Sequence, residues 1–380
     1  MTLYLHIGVS KTGTSSIQEF LHINRAALPR HGFLVPATLV SRNHRNLAIY
    51  ALDDDVIDNP KIAAQLTTPA AIAAFRMAFG DALIAESRTW PPGAHVVISA
   101  EQMTHLTRPT EFARLKGLLD ELGHAVRIVV YVRRQDLHFT SAYSQGIKGG
   151  LDIDLIPPAA DVAEDGPDHG RFHSRDYARF LAPWAATFGT PYVILRVFER
   201  GQMQGGDVIT DFAQAIGLPM GGDLLRPQYQ NLSLDLRTIA YLRGMTAHFP
   251  RFIDGKRNKR RVRLIALLEQ VSDGPPPRLE PEVARAFLAG FTEGNQTVAR
   301  EFLGRADGRL FHDPVADSPG IAPGLDAEQA VQITLRLCGA LPFAGRDHAA
   351  TFRQALAACD DPADLSAILG VAARVLRPLL

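Results

Sequence analysis

The sequence is poor in cysteine and tryptophan, with 2 of each among 380 residues. Cys338 and Cys359 both lie in the C-terminal stretch. Two thiols make neither a disulfide framework nor a zinc site, although a single disulfide between them stays open. An excess of one charge is also missing, since 40 Lys and Arg face 40 Asp and Glu. Nothing global therefore draws the chain to nucleic acid or to an anionic membrane. No apolar run is long enough to span a bilayer. The first residues hold no basic stretch followed by an apolar core, so no secretory signal is read there and a cytoplasmic location is the expectation. No internal repeat is found. At this length a sizeable core and one or two domains are expected.

What is present is concentrated in the first thirty residues. Leu3, Leu5 and Ile7 alternate with Tyr4 and His6, the period of a strand. A loop, Gly8 to Gly13, carries Lys11, and after Thr14, Ser15 and Ser16 the residues Ile17, Phe20, Leu21 and Leu28 recur at helical spacing. A strand, a glycine-containing loop and a helix N-terminus aim several backbone N–H groups and the positive end of a helix at one spot. An anion fits there, a phosphate above all. The order G-x-x-x-x-G-K-[ST] is absent, because Lys11 precedes Gly13. The plain alternative is an ordinary turn with a solvated lysine.

Further along, strands are expected at Gly32–Pro36, His95–Glu101, Arg127–Val132 and Tyr192–Phe198. Helical patterns cover Pro69–Ser87, Phe112–Leu122, Asp136–Lys148, Asp176–Phe188, Asp207–Ile216 and Glu282–Phe302. Apolar strands alternating with helices argue for an α/β fold with a mainly parallel sheet covered on both faces. Gly149 to His173 is long, polar and rich in Pro and Gly, and reads as a lid or acceptor-binding loop. The basic run Lys256–Arg263 reads as solvated surface in a neutral chain, with attraction of an anionic ligand as the second option. Pro314–Pro323 reads as a linker, which divides the chain into a domain at 1–315 and a helical C-terminal extension at 325–380. The extension either packs over the domain or makes a homodimer contact through its apolar face.

The order K-T-G-T-S-S directly after an N-terminal strand resembles the 5′-phosphosulfate loop of sulfotransferases that use 3′-phosphoadenosine 5′-phosphosulfate. The stretch YVRRQDLHFTSAY is similar to the second motif of that family: Arg133 ends a strand and Ser141 follows eight residues later. It departs in having Gln135 where a proline is common. The resemblance covers 1–315, with weaker likeness at RVFERG and FLGRADGRLF. It implies a three-layer α/β sandwich of the kind shared with P-loop nucleoside triphosphatases. It also implies that Lys11, Thr12, Gly13, Thr14, Ser15 and Ser16 hold the 5′-phosphate of the donor, and Arg133 with Ser141 its 3′-phosphate. A guanidinium suits a phosphate through two parallel charge-assisted bonds. The plain alternative is that Arg133 pairs with Asp136 at the surface.

Sulfuryl transfer to a hydroxyl or amine needs positive charge at the leaving phosphate, the role implied for Lys11, and a general base at the acceptor. Two residues are candidates. Glu101 follows the strand that precedes Arg133's strand, where its plain alternative is a carboxylate stabilised by a helix dipole. His44 lies in a polar stretch and titrates in the right range, where its plain alternative is a surface loop histidine. Ser99 is a further candidate at the donor. The resemblance implies no metal, and no metal-ligand cluster is seen in the sequence. By family analogy alone the acceptor is a carbohydrate or glycolipid. The competing readings are a nucleotide kinase or NTPase, and a non-catalytic relative that binds nucleotide.

Overall fold

Short apolar runs become strands buried on both faces, and segments with an apolar period near 3.6 become helices, along most of this chain. The structure, a computed structural model, describes residues 1–157, 174–228, 233–317, 324–341, 347–359 and 361–380. Its elements begin with β1 (Thr2–His6), α1 (Thr14–Ile23), β2 (Phe33–Leu34), α2 (Asn46–Ala51), α3 (Asn59–Ala63) and α4 (Pro69–Ser87). Then come β3 (His95–Ser99), α5 (Pro109–Glu121), β4 (Ala125–Val132), α6 (Gln135–Lys148), α7 (Tyr177–Phe188), β5 (Val193–Val197) and α8 (Val208–Ile216). The remainder holds α9 (Leu236–Gly244), β6 (Phe252–Ile253), β7 (Lys256–Arg257), α10 (Lys259–Val271) and α11 (Pro281–Ala289). Last are α12 (Thr292–Leu303), α13 (Ala327–Ala340), α14 (His348–Ala357) and α15 (Leu365–Leu376).

The chain forms two compact units. The first takes 1–135, 158–228 and 287–314, and the second 136–157, 229–286 and 315–380. The division is therefore not the sequence boundary between 1–315 and 325–380: the C-terminal residues share a unit with two segments from the middle of the chain. Of the loop expected at Gly149–His173, residues 158–173 lie outside the described residues, as do 318–323 of the expected linker and Asn231 and Leu232. The helix expected over Glu282–Phe302 is two helices, α11 and α12, parted at Gly290 and Phe291. Glycine there weakens the helix by about 1 kcal/mol relative to alanine.

The first unit is an α/β sandwich on a five-stranded sheet of order β2-β3-β1-β4-β5. Every pairing is parallel, with His6 opposite Ser99 on one side and Val129 on the other. Alternation sorts the strand residues to two faces. Leu3, Leu5, Val96, Ile98, Ile128 and Val130 pack with residues of α2, α4, α5 and α7. Tyr4, Val97, Val129 and Tyr131 face the opposite way, against Ile17, Phe20 and Leu21 of α1 and Ile209 and Phe212 of α8. Each such side chain contributes about 1.5–3 kcal/mol when fully buried. One polar anchor crosses the second face: the Tyr131 hydroxyl donates to Asp211 at 2.7 Å, and Arg196 Nε donates to the same carboxylate at 2.9 Å.

The second unit is helical, with a core of Tyr143, Ile147, Ile239, Leu264, Leu268, Ile333, Leu337, Phe352 and Leu369 among others. Its last helices start where an aspartate caps them: Asp326, Asp347 and Asp364 accept from the N–H of Gln329, Ala350 and Ala367 at 2.7, 2.8 and 2.7 Å. Such caps are worth about 1 kcal/mol each. β6 and β7 form an antiparallel ribbon closed by Asp254 and Gly255, both at positive φ (50° and 72°). That is the turn a two-residue hairpin favours. No helix among the described residues is long and apolar enough to cross a membrane.

Candidate functional site

Parallel register brings the carboxyl ends of β1, β3 and β4 together, and open α/β sheets bind ligands where the strand order switches direction beyond those ends. Here β1 is central, and the chain runs from it to β2 and β3 on one side before crossing to β4 and β5 on the other. The segments after β1, β3 and β4 are those that carry Lys11, Glu101 and Arg133.

The loop after β1 stays tied to its neighbours. Ile7 and Val9 donate to the carbonyls of Val129 and Tyr131 at 3.0 and 2.9 Å, and Tyr131 donates back to Gly8 at 2.7 Å. The chain then turns through Lys11 and Gly13, at φ of 63° and 80°. Thr12 is buried and spends its hydroxyl on Val9's carbonyl at 2.6 Å, so it shapes the loop rather than facing a ligand. Gly13 precedes α1 and accepts the first helical bonds, from Ser16 and Ile17 at 2.9 and 3.1 Å. A Cβ at Gly13 would stand 3.0 Å from both Val208 methyls and 3.1 Å from Phe198 Cε2. The loop is therefore pressed onto the start of α8 and the end of β5, and glycine is required on two counts. Thr14, Ser15 and Ser16 form the first turn of α1; the Ser16 N–H is taken by the Gly13 carbonyl, and those of Thr14 and Ser15 come before the first helical bond.

Arg133 follows β4 directly. Its Nη1 donates to the Lys11 carbonyl at 3.0 Å, and its Cζ lies 5.6 Å from the centre of the Phe198 ring. Its backbone N–H donates to the Tyr177 hydroxyl at 3.2 Å, and that hydroxyl donates in turn to the Arg133 carbonyl. The next residue does something else: Arg134 is buried and donates to the carbonyls of Asp313 and Pro314 at 2.6 and 2.9 Å. Ser141 belongs to the second unit, half-buried in the second turn of α6. The first unit alone supplies the site described here.

Glu101 opens a short 3₁₀ turn just beyond β3 and is half-buried. Its carboxylate accepts the hydroxyl of Thr14 at the start of α1. Its Cγ stands 3.7 Å from where a Cβ on Gly8 would lie, so the carboxylate lies against the loop.

His44 occupies a different setting from the one its polar sequence neighbourhood implies. It is buried, with φ of 38°, and its Nδ1 accepts the backbone N–H of Ser99 at 2.9 Å. Burial, with the charges of Arg25 and His22 adding to it, lowers its pKa to about 4. An Nδ1 that accepts leaves the ring proton on Nε2, so the neutral imidazole is a donor at its remaining nitrogen. That is not the state of a general base. Ser99 is buried too, and its hydroxyl meets His6 Nδ1 at 2.8 Å. Burial lowers the pKa of His6 to about 3. His44, Ser99 and His6 thus form a buried, neutral polar chain beneath the loop.

Of the sequence-predicted residues, Lys11, Gly13, Thr14, Glu101 and Arg133 come together through direct contacts or backbone continuity. Sequence reasoning missed Phe198 and Val208 as the walls of the loop, and His6 as the partner of Ser99. Phe198 stood at the end of an expected strand, which was its one signal. Among the described residues no three His, Cys, Asp or Glu side chains gather as metal ligands.

No known family's sequence profile matches the chain. It is similar to an uncharacterized protein of Archaeoglobus fulgidus, 31% identical over 94 residues, which is 25% of this chain and 23% of that protein. The chain thus spans about a quarter of that relative's length.

Proposed function

We propose that the chain is a sulfotransferase that moves a sulfuryl group from 3′-phosphoadenosine 5′-phosphosulfate to a hydroxyl or amine of an acceptor, a carbohydrate or glycolipid by analogy. The observation that carries this reading is that a guanidinium and a carboxylate from two further strand ends both close on the loop of Lys11. Arg133 fastens to the loop's backbone, and Glu101 to the first hydroxyl of the helix that follows. In this reading the loop and the first turn of α1 receive the 5′-phosphate, with N–H groups and the hydroxyls of Ser15 and Ser16 as donors. Lys11 meets the charge that grows on the leaving phosphate. Arg133 takes the 3′-phosphate. An acceptor oxygen forms its bond to sulfur as the bond from sulfur to the phosphate oxygen breaks, and Glu101 takes the acceptor's proton. Thr14 holds one oxygen of Glu101 and so fixes where the other points.

One observation favours a second reading, a kinase or NTPase. A carboxylate beyond β3 that accepts from the hydroxyl at a helix N-terminus is also what a magnesium-bound nucleoside triphosphate site employs. Calorimetric titration separates the two. Preference for 3′-phosphoadenosine 5′-phosphate over ATP with Mg²⁺, weakened in Arg133→Ala, supports sulfuryl transfer. Tighter binding of ATP with Mg²⁺, or binding of neither nucleotide, overturns it.

A further inference from the structure

The second unit holds an open cleft of about 460 Å3 lined by His248, Arg260, Gly370, Ala373, Arg374, Arg377 and Pro378, its three arginines exposed. Arg260 comes from the basic run that sequence reading assigned to solvated surface, and it sits in the first turn of α10. Arg374 and Arg377 come from the last turn of α15 and its cap. No carboxylate lines the cleft. Two arginines of this unit are matched to carboxylates: Arg243 reaches Asp152 and Asp154 at 2.6 and 2.8 Å, and Arg336 reaches Asp273 at 2.8 Å. Among the described residues Arg260 and Arg374 make no ion pair. Arg377 is aimed rather than paired, since Nη2 donates to the His248 carbonyl at 3.1 Å and Cζ lies 5.8 Å from the Phe249 ring centre.

A helix C-terminus accounts for a cation or two at the end of α15. It does not account for a third guanidinium and an imidazole arriving from other elements onto the same hollow, where like charges repel. The repulsion registers on His248, whose pKa is lowered by burial and then by Arg377 and Arg374. Small residues at Gly370 and Ala373 leave room for a group the size of a tetrahedral oxyanion.

We infer that this cleft binds a phosphomonoester dianion, either free in solution or on a lipid headgroup. Three guanidiniums lining one cleft supply charge-assisted donors for such an oxyanion. The site is built from residues of the second unit alone and stands whatever the activity of the first.

The test follows the His248 ring resonance by NMR in the full chain, assigned with His248→Gln, so that the signal comes from a residue lining the cleft, and repeats the titration in Lys11→Ala, where the response is expected to be unchanged. Inorganic phosphate is expected to shift that resonance and raise the histidine's titration midpoint. Arg374→Gln with Arg377→Gln is expected to weaken the response about tenfold or more, while Arg237→Gln, exposed on α9, leaves it unchanged. Arg260→Gln, an exposed substitution, serves if the double variant is poorly folded. Vesicles of phosphatidylcholine with and without phosphatidic acid form the second arm: sedimentation with the acidic vesicles alone, lost in the arginine variants, assigns the headgroup source. A His248 resonance indifferent to phosphate together with no vesicle binding overturns the inference. So does a response that survives both arginine variants.

Discussion

Arg133 Nη1 donates to the carbonyl oxygen of Lys11 at 3.0 Å, so the strand-end arginine holds the loop it faces. The bond gives Arg133 two jobs, shaping the loop and presenting charge beside it. Arg133→Ala is therefore expected to weaken binding of 3′-phosphoadenosine 5′-phosphate by about tenfold or more, given ~1.5–3 kcal/mol for a hydrogen bond to a charged group. Arg133→Lys keeps the charge but loses the planar fork, and is expected to recover only part of the loss. Calorimetric titration of the two variants measures both. Equal affinity in wild type and Arg133→Ala would remove Arg133 from the site.

Gly13 and Gly32 form a matched pair for measuring how tightly the loop is packed. Both have positive φ, 80° and 78°. A Cβ on Gly13 meets Val208 and Phe198 at 3.0–3.1 Å, whereas one on Gly32 meets nothing within 4 Å. Gly32→Ala is expected to lose about 1–2 kcal/mol, the backbone term alone. Gly13→Ala adds overpacking of about 1–3 kcal/mol to that term. Urea unfolding midpoints of the two variants give the difference, and equal losses would mean that the loop is free to move off α8.

Much of the first unit was legible because its signals are local. Period-two alternation marked β1, short apolar runs marked β3, β4 and β5, and the loop's glycines and lysine stood between a strand and a helix. What was not legible depends on partners distant in sequence. Glu101 finds Thr14 across 87 positions only because β1 and β3 pair in the register that sets His6 against Ser99. His44 reads as a surface histidine until Ser99's backbone is seen beside it. Arg261 lies in a run of cations, and composition makes it solvated. It is in fact buried, donating to the carbonyls of Ile147 and Phe249 at 2.5 and 2.7 Å. Those acceptors come from α6 and the loop after α9, so no pattern inside the run marks it. The Asp254–Gly255 turn was a local signal overlooked, as was Asp58, which caps α3 one residue before Asn59 and Pro60.

The buried histidines set a pH dependence whose sign can be worked out. His44 and His6 have pKa values lowered to about 4 and about 3, against 6.5 when exposed. Between those values the unfolded chain binds protons that the folded chain does not, so folding is penalised there. Their contribution is fully present above about pH 6.5 and is lost as pH falls toward 4, on the order of a few kcal/mol in all. Urea unfolding at a series of pH values from 7 to 5 is expected to show falling stability. His44→Gln is expected to be less stable at pH 7, with a shallower fall. A slope unchanged by that variant would mean that His44 is not buried and neutral.

The placement of Glu101 separates a base from a carboxylate that only caps a helix. Glu101→Gln keeps an oxygen that accepts from Thr14, so the loop should be held as before. It removes the site for the acceptor's proton. On the sulfotransferase reading, release of 3′-phosphoadenosine 5′-phosphate in the presence of acceptor falls by ~10²–10⁴. Affinity for that product stays at the wild-type value. A capping role predicts the reverse, with stability reduced and turnover per folded molecule kept. His44→Gln supplies the comparison, since an imidazole whose Nδ1 accepts a backbone N–H has no proton-accepting nitrogen to lose. Its turnover, measured on the folded fraction, is expected to stay within severalfold of wild type, far above that of Glu101→Gln. If the order of the two variants is inverted, the base is His44, and the hydrogen bond from Ser99 must break during turnover.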